Sequence, residues 1–177
     1  KEYLASYADA SVPEKNDKNT IMIHAETPYQ TSEQVIYAMN DRTSGITVPQ
    51  DPAAALLNTI GGNGGDKWKI AGQWISYEFE IEEDGMYEIV TRFKQTVNEG
   101  LFSSRALKID GEYPFEEAKA LQFQFGKDWQ VDVLSDGTQK FSFYFTKGRH
   151  EIQFKAVLGD MADILNIIND SQTRLND

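Results

Sequence analysis

Two neighbouring stretches of the chain alternate between apolar and polar residues. Apolar or aromatic side chains fall at every second position over residues 75–81, and a similar rhythm returns over residues 87–93. A period of two residues is that of a β-strand with one buried and one wet face. Between the two runs stands Glu83-Asp84-Gly85, and an Asp-Gly pair is a strong turn signal. The pattern predicts a β-hairpin.

A third alternating run is rich in phenylalanine. It leads to Lys147-Gly148, after which residues 150–158 alternate again. We interpret this as a second one-sided hairpin, and two such hairpins favour stacked antiparallel sheets. The core predicted between the sheets consists of Tyr77, Phe79, Ile89, Phe93, Phe143, Ile152 and Phe154.

Shorter strands are predicted elsewhere in the chain. Residues 21–25 alternate as a first strand, and weaker strands are expected at residues 121–125 and 129–133. Residues 27–73 contain several prolines and the run Gly61-Gly-Asn-Gly-Gly65. This composition predicts long loops with short strands between them.

The two ends of the chain differ from its middle. Residues 1–20 are polar and are interpreted as an N-terminal tether, and residues 21–159 are assigned to the β-sandwich domain. Apolar residues recur at helical spacing over residues 160–177, so an amphipathic C-terminal helix, or the start of a following domain, is expected there. The apolar stripe of that helix would be Met161, Leu165, Ile168 and Leu175.

Composition narrows the class of protein. A chain of 177 residues with 40% hydrophobic residues can bury the core of one domain. The formal net charge of −11, without a basic cluster, disfavours nucleic acid and anionic membrane surfaces as partners. No apolar stretch is long enough to span a membrane. The absence of cysteine excludes disulfides, thiolate chemistry and zinc-thiolate sites.

The sequence offers few residues of the kinds that catalysis requires. The chain contains two histidines, His24 and His150, and lacks a nucleophile elbow, a zincin helix and a phosphate loop. A glycosidase needs two carboxylates facing each other across a cleft. The carboxylates of Glu78, Glu80 and Glu82 instead follow the wet face of one predicted strand. The sequence therefore predicts a protein that is not an enzyme.

Several segments, taken together, resemble a known family. They are Ile23-His-Ala-Glu26, residues 74–87, Leu107-Lys-Ile-Asp-Gly111, Trp129 and residues 147–154. Their order is similar to that of the galactose-binding-like β-sandwiches, and within these to carbohydrate-binding module families six and thirty-five. The resemblance implies an all-β, two-layer antiparallel jelly roll, here with a C-terminal amphipathic helix where those modules end in a strand.

One segment narrows the resemblance further. Residues 105–118 are similar to the amino-terminal sandwich of large extracellular solute-binding proteins that serve Gram-positive ABC sugar importers. The resemblance implies an extracellular, cell-surface attached protein and a downstream domain of the same polypeptide as a partner. The opening at Lys1 also leads us to expect a processed or excised piece.

The resemblance implies an oligosaccharide or polysaccharide as ligand. Sugar binding needs an aromatic ring for stacking and fixed polar groups that recognise the hydroxyls. The place of Trp129 resembles that of a ligand-stacking tryptophan in the family. For each aromatic candidate the alternative is a structural residue at a loop end. For Arg105, the alternative is a salt bridge to a loop carboxylate, and His150 is expected to be a satisfied core histidine. The carbohydrate-binding candidates are Trp129, Trp68, Tyr37, Arg105 and Asp160.

The same resemblance implies a structural calcium ion and no other cofactor. Glu26 matches one of the acidic side chains that hold the ion in the family. His24 stands where a second carboxylate is common, and a neutral imidazole is a poor ligand for a hard cation. Glu26 is therefore the single metal-ligand candidate.

Two functions remain open from the sequence. The first is a non-catalytic carbohydrate-binding module of an extracellular sugar-capture protein. The second is a structural spacer that packs against a neighbouring domain and has no ligand of its own. Exposed tryptophans at positions 68 and 129 around a concave surface would favour the first function, and buried tryptophans the second.

Overall fold

The described chain is built mostly from antiparallel β-strands, as predicted. The computed structural model describes residues 2–15, 18–41, 57–62, 67–96 and 99–159. No helix within these ranges is long and apolar enough to cross a membrane. The elements are α1 (Glu2–Ser6), β1 (Gln30–Thr31), β2 (Ala38–Asp41), β3 (Leu57–Ile60), β4 (Trp74–Ile81), β5 (Gly85–Tyr87), β6 (Val90–Phe93), β7 (Phe102–Ile109), the 3₁₀ helix Glu116–Lys119, β8 (Leu121–Gln124), β9 (Gln130–Val133), β10 (Phe143–Phe145) and β11 (Gly148–Val157).

The larger sheet has five strands in the order β1-β4-β11-β7-β8. All of its neighbouring strands pair antiparallel. The register places Phe154 of β11 opposite Ile75 of β4 on one side and opposite Leu107 of β7 on the other. Because directly opposite residues share a face of the sheet, these apolar side chains form one continuous inward surface.

The facing layer is formed around β5 and β6. β5 pairs with β10 and β6 pairs with β9, both antiparallel. The Leu134 N–H donates to the Ile89 carbonyl at 2.9 Å, and the Phe141 N–H donates to the Leu134 carbonyl at 2.8 Å. β9 and β10 therefore both lie alongside the segment that contains β5 and β6. Residues 135–140 form a loop between β9 and β10. A further pair, β2–β3, is separate from these ladders.

Aromatic rings join the two layers across the core. The ring of Phe79 on β4 packs edge-on against Phe145 on β10 at 5.4 Å between centroids. Of the predicted core residues, Tyr77, Phe143, Ile152 and Phe154 are buried, and Phe79 and Ile89 pack partly buried against them. Phe93 instead packs against Phe123, with 4.9 Å between ring centroids. The buried apolar core consists of Ile36, Ile75, Tyr77, Ile81, Leu107, Ala118, Leu121, Leu134, Phe143, Phe145, Ile152 and Phe154.

Neither predicted hairpin forms. β4 pairs with β1 and β11, whereas β5 pairs with β10, so residues 82–84 carry the chain from one layer to the other. The link between β10 and β11 crosses back in the same way, and the Lys147 N–H donates to the Asp84 carboxylate beside it. Alternation fixes which side chains face the core. The alternation of apolar and polar residues is the same whether the next strand pairs within the same sheet or belongs to the facing sheet.

The predicted first strand over residues 21–25 is also wrong. Residues 21–24 have no regular structure, and a turn follows at residues 25–27. Ile21 and Met22 are exposed, so only Ile23 of the apolar residues packs against the core. The weaker strands predicted around residues 121–125 and 129–133 are confirmed as β8 and β9.

The N-terminal residues contact the smaller layer. The Tyr7 ring stacks on Tyr144 at 4.4 Å, and the Tyr144 N–H donates to the Tyr3 hydroxyl at 2.8 Å. The Met86 N–H donates to the Ser11 carbonyl at 2.9 Å. At the other end, the predicted helix over residues 160–177 lies outside the described residues, and so does the candidate Asp160.

Candidate functional site

β9 reverses the usual distribution of polar and apolar side chains in a sandwich. The Gln130 side-chain amide reaches towards β8 and donates to the Gln124 carbonyl at 3.0 Å. By strand alternation Asp132 lies on the same side and is itself exposed, whereas Val131 lies on the opposite side and is 58% exposed. A closed sandwich would place the apolar residue inward. The reversal leaves a polar space between β9 and β8.

β6 completes the wall of this space. Its Phe93 is opposite Gln130 in the β6–β9 ladder, and its Thr91 is opposite Asp132. The Phe93 ring packs edge-on against Phe123 of β8 at 4.9 Å between centroids. This ring pair gives the space an apolar floor, while the neighbouring positions Thr91 on β6 and Gln130 on β9 are polar.

The resulting cleft lies between the β6–β9 pair and the edge strand β8. Its volume is about 80 Å³. No lysine, arginine or histidine of the described chain lines it, and Asp132 is its single carboxylate. The side chains of its lining that can contact a ligand through rings, hydroxyls, an amide or a carboxylate include Thr91, Phe93, Phe123, Gln130, Asp132 and Ser135.

Trp129 flanks the cleft without lining it. It directly precedes β9 and is partly buried. The Arg92 guanidinium of β6 lies 5.5 Å from the centroid of its ring, and burial lowers the pKa of Arg92. Since Arg92 is opposite Val131 in the ladder, the Trp129 ring lies towards the outward side of the β6–β9 pair.

Trp68 and Arg105 form a separate cluster. The Arg105 guanidinium lies 4.2 Å from the Trp68 ring centroid, and it donates to the carbonyls of Trp68 at 2.9 Å and Ser104 at 2.8 Å. Burial lowers the pKa of Arg105 to about 10. The expected salt bridge to a loop carboxylate is not present among the described residues. Backbone carbonyls and an aromatic face take the place of the carboxylate.

Gln73 holds the loop that carries Trp68. The Trp68 indole N–H donates to the Gln73 carbonyl at 3.2 Å. The Gln73 side-chain oxygen accepts the N–H groups of Lys69 at 3.1 Å and Ile70 at 3.0 Å, and its amide donates to Glu33 at 3.0 Å. Gln73 is buried. These contacts favour the structural alternative for both Trp68 and Arg105.

The remaining carbohydrate and metal candidates are not assembled into a site. Tyr37 is exposed just before β2. Glu26 lies 3.5 Å from His24, measured between Oε1 and Nδ1. No three His, Cys, Asp or Glu side chains converge as metal ligands anywhere in the described ranges. Calcium takes six to eight oxygen ligands, so the described surroundings of Glu26 do not fit that ion.

His150 is a satisfied core histidine, as expected. Its Nδ1 lies 2.7 Å from the Asp110 carboxylate and its Nε2 lies 2.7 Å from the Thr146 carbonyl. Its side chain is 10% exposed and packs against the Phe145 ring. These contacts tie the turn after β7 to the link between β10 and β11.

Sequence reasoning missed the cleft residues. Thr91, Gln130 and Asp132 were assigned no role, although Thr91 interrupts an otherwise apolar side of its strand. Another signal was present around β9, where Trp129, Val131 and Val133 share one side and Gln130 and Asp132 the other. Only the pairing of β9 with β6 shows that the polar side lines the cleft.

Comparison with solved structures finds similar folds. A crystal structure of a Paenibacillus sp. cycloisomaltooligosaccharide glucanotransferase complexed with cycloisomaltoheptaose gives a TM-score of 0.52 at 18% identity, covering 76% of this chain and 16% of that chain. A family 35 carbohydrate-binding module from Clostridium thermocellum gives 0.45 at 13% identity, covering 71% of this chain and 81% of that chain. A second family 35 module from Clostridium thermocellum gives 0.38 at 14% identity, covering 49% and 60%.

The likeness to the glucanotransferase is one of fold. The match corresponds to 16% of the length of that enzyme. No protein-family model matches the sequence, and the search of curated proteins gives no match.

Proposed function

We propose that this chain is a non-catalytic carbohydrate-binding module whose ligand occupies the cleft between β6–β9 and β8. The observation that carries the proposal is the set of inward polar side chains beside the paired rings of Phe93 and Phe123. An aromatic ring accepts the apolar face of a sugar, and fixed polar groups recognise its hydroxyls. Gln130, Asp132 and Thr91 supply such groups.

The polar groups of the cleft are held in place. The Gln130 amide is anchored on the Gln124 carbonyl at 3.0 Å, and the Asp132 carboxylate accepts the Val133 N–H at 2.8 Å. Preorganised side chains lose less conformational entropy when a ligand binds. A volume of about 80 Å³ is far below the several hundred Å³ of drug-sized pockets. The cleft therefore accommodates an edge of one sugar unit, with the rest of the glycan outside.

Two further observations support the proposal and its finer form. The glucanotransferase with a similar fold is in complex with cycloisomaltoheptaose, a cyclic oligosaccharide. The resemblance of residues 105–118 to importer lipoproteins supports a place in an extracellular, cell-surface attached, solute-binding protein of an ABC sugar importer. In that setting a downstream domain of the same polypeptide is the second partner.

A glycan array followed by calorimetry tests the proposal. Wild-type protein is expected to bind at least one glycan at millimolar concentration or below. Gln130→Met removes the amide from the cleft and is expected to weaken binding by about 1 kcal/mol. Trp129→Ala is expected to weaken it by less than about 1 kcal/mol, because the Trp129 ring lies towards the outward side of the β6–β9 pair.

Val131→Thr is the matched control for these variants. It changes the same strand on its outward side, so glycan affinity should stay that of the wild type. If the wild-type chain binds no glycan at millimolar concentration, the carbohydrate-binding function is wrong.

A second function, packing against a neighbouring domain, is favoured by the outward side of the β6–β9 pair. Val90 and Val131 are 57% and 58% exposed there, and apolar surface of this kind marks interaction sites when it is contiguous. The double variant Val90→Thr, Val131→Thr would then speed proteolysis between the domains of the longer polypeptide. Glycan binding would remain unchanged.

A further inference from the structure

We propose that the cleft selects neutral glycans and rejects carboxylated or sulfated ones, and that the Asp132 side chain determines this selectivity. The inference rests on the proposed carbohydrate-binding function and names the ligand class of the same cleft. It comes from the charges that surround the cleft.

The cleft contains a negative charge and no positive one. Asp132 is its only carboxylate, and no cationic side chain of the described chain lines it. Arg92 lies on the adjoining strand, but its guanidinium is placed over the Trp129 ring towards the outward side. The whole chain carries a formal net charge of −11. Both the cleft and the domain around it therefore disfavour an anionic ligand.

The Asp132 carboxylate is oriented as a hydrogen-bond acceptor. Its Oδ1 accepts the Val133 N–H at 2.8 Å, whereas no donor reaches Oδ2 among the described residues. The Thr91 hydroxyl is directed at the Asp132 backbone carbonyl at 3.4 Å, not at the carboxylate. A sugar hydroxyl can donate to this free oxygen. An ionised carboxylate or sulfate cannot donate, and it meets a like charge.

The size of the discrimination follows from Coulomb's law. Two like charges a few ångströms apart near a protein surface repel enough to weaken binding by about tenfold or more. Specificity of this kind comes from a repulsive element as well as from attractive contacts. Gln130 and Thr91, being neutral, contribute to affinity without distinguishing charged from neutral sugars.

Matched pairs of probes test the inference on the full chain. The probes are amylose with its C6-carboxylated form, and oligogalacturonate with its carboxyl-reduced form. Affinity electrophoresis and calorimetry in about 0.15 M salt screen charges beyond about 8 Å, so that the local contact dominates. The wild type is expected to bind the neutral member of a pair about tenfold more tightly than the acidic member.

Two charge-removing variants locate the effect. Asp132→Asn keeps the shape of the side chain and is expected to reduce the gap between neutral and acidic members to less than about threefold. Glu82→Gln makes the same change in net charge at a distant position. Glu82 follows the end of β4, and β11 and β7 lie between β4 and β8 in the sheet. It should leave the gap unchanged. Unchanged circular dichroism would show that both variants fold.

Three outcomes overturn the inference. The first is tighter binding of an acidic member by the wild type. The second is a gap that persists in Asp132→Asn. The third is binding of neither member of any pair. In the third case, an array hit on another glycan leaves the carbohydrate-binding function standing, whereas an empty array refutes it as well.

Discussion

The β4–β11 pair and the β6–β9 pair face the same core but use their two sides in opposite ways. On β4–β11 the inward positions are apolar, as at Ile75, apart from the hydrogen-bonded His150, and the outward positions carry charges such as the Glu78–Arg149 ion pair. On β6–β9 the side that lines the cleft carries Thr91 and the exposed Asp132, and Val90 and Val131 are exposed on the other side. One pair follows the rule for a half-buried sheet, and the other breaks it.

The difference separates stability from binding. β4 and β11 contain 8 and 10 residues, whereas β6 and β9 contain 4 each. The long pair supplies the hydrophobic burial that holds the fold together. The short pair gives up inward apolar contacts at the place where a cleft is formed, and local departures of this kind are expected at functional sites. Substitutions in the two pairs should therefore have different consequences.

The largest expected effect is in the long pair. Ile75→Ala removes a fully buried side chain from β4 and should lower the free energy of unfolding by about 2–5 kcal/mol, through lost burial and a residual cavity. Val131→Ala on β9 is the contrasting control, with an expected loss below about 1 kcal/mol. Urea unfolding followed by fluorescence measures both. Equal losses would refute the division between the pairs.

A second effect tests the structural role of Arg105, which lies on β7, an interior strand of the large sheet. Arg105→Lys loses the paired bonds to two carbonyls and the stacking on Trp68. We expect a loss of about 1–3 kcal/mol in the free energy of unfolding. Arg149→Lys, at an exposed ion pair with Glu78, should cost less than about 1 kcal/mol. Loss of glycan binding in Arg105→Lys with unchanged stability would instead assign Arg105 to the ligand.

A third effect concerns alkaline pH. Burial, and secondarily the Glu26 carboxylate, raise the pKa of Tyr77, whose hydroxyl donates to the Ala25 carbonyl at 2.9 Å. Above pH about 10 the unfolded phenol loses its proton while the folded one keeps it, so rising pH favours unfolding. Tyr77→Phe should cost about 1 kcal/mol at pH 7. That cost should shrink as the pH rises above 10.

Melting temperatures at pH 7 and at pH about 10.5 measure the effect on Tyr77→Phe. The exposed Tyr37 provides the control, because Tyr37→Phe should shift the melting temperature little at either pH. A cost of Tyr77→Phe that stays constant or grows with pH would contradict the prediction.

The sequence predicted strands and inward faces better than it predicted pairing. The runs at 75–81 and 150–158 became β4 and β11 with the expected buried sides, because alternation depends only on which face meets the core. The same alternation predicts two hairpins that do not form, since a short turn signal does not distinguish a turn within a sheet from a link between layers. Pairing between distant strands is a tertiary property.

The candidate site was less predictable for the same reason. Trp129 was singled out by resemblance and lies beside the cleft, but the groups that line the cleft belong to strands distant in sequence. β8 and β6 are brought together only by the folding of one layer over the other. The salt bridge expected for Arg105 was also not predictable from side chains, because its partners are backbone carbonyls, which every residue provides.

The smallest expected effect on stability is the sharpest test of the comparison. Thr91→Val keeps a β-branched side chain on β6 and restores an apolar residue at an inward, partly buried position. The hydroxyl makes only a 3.4 Å contact with the Asp132 carbonyl, so stability should stay the same or rise by up to about 0.5 kcal/mol. Glycan affinity should fall by about 0.5–1.5 kcal/mol, because the cleft loses a hydrogen-bonding group. Parallel calorimetry and urea unfolding check both expectations, and a fall in stability with intact binding would show that the polar residues of β6–β9 serve the fold and not a ligand.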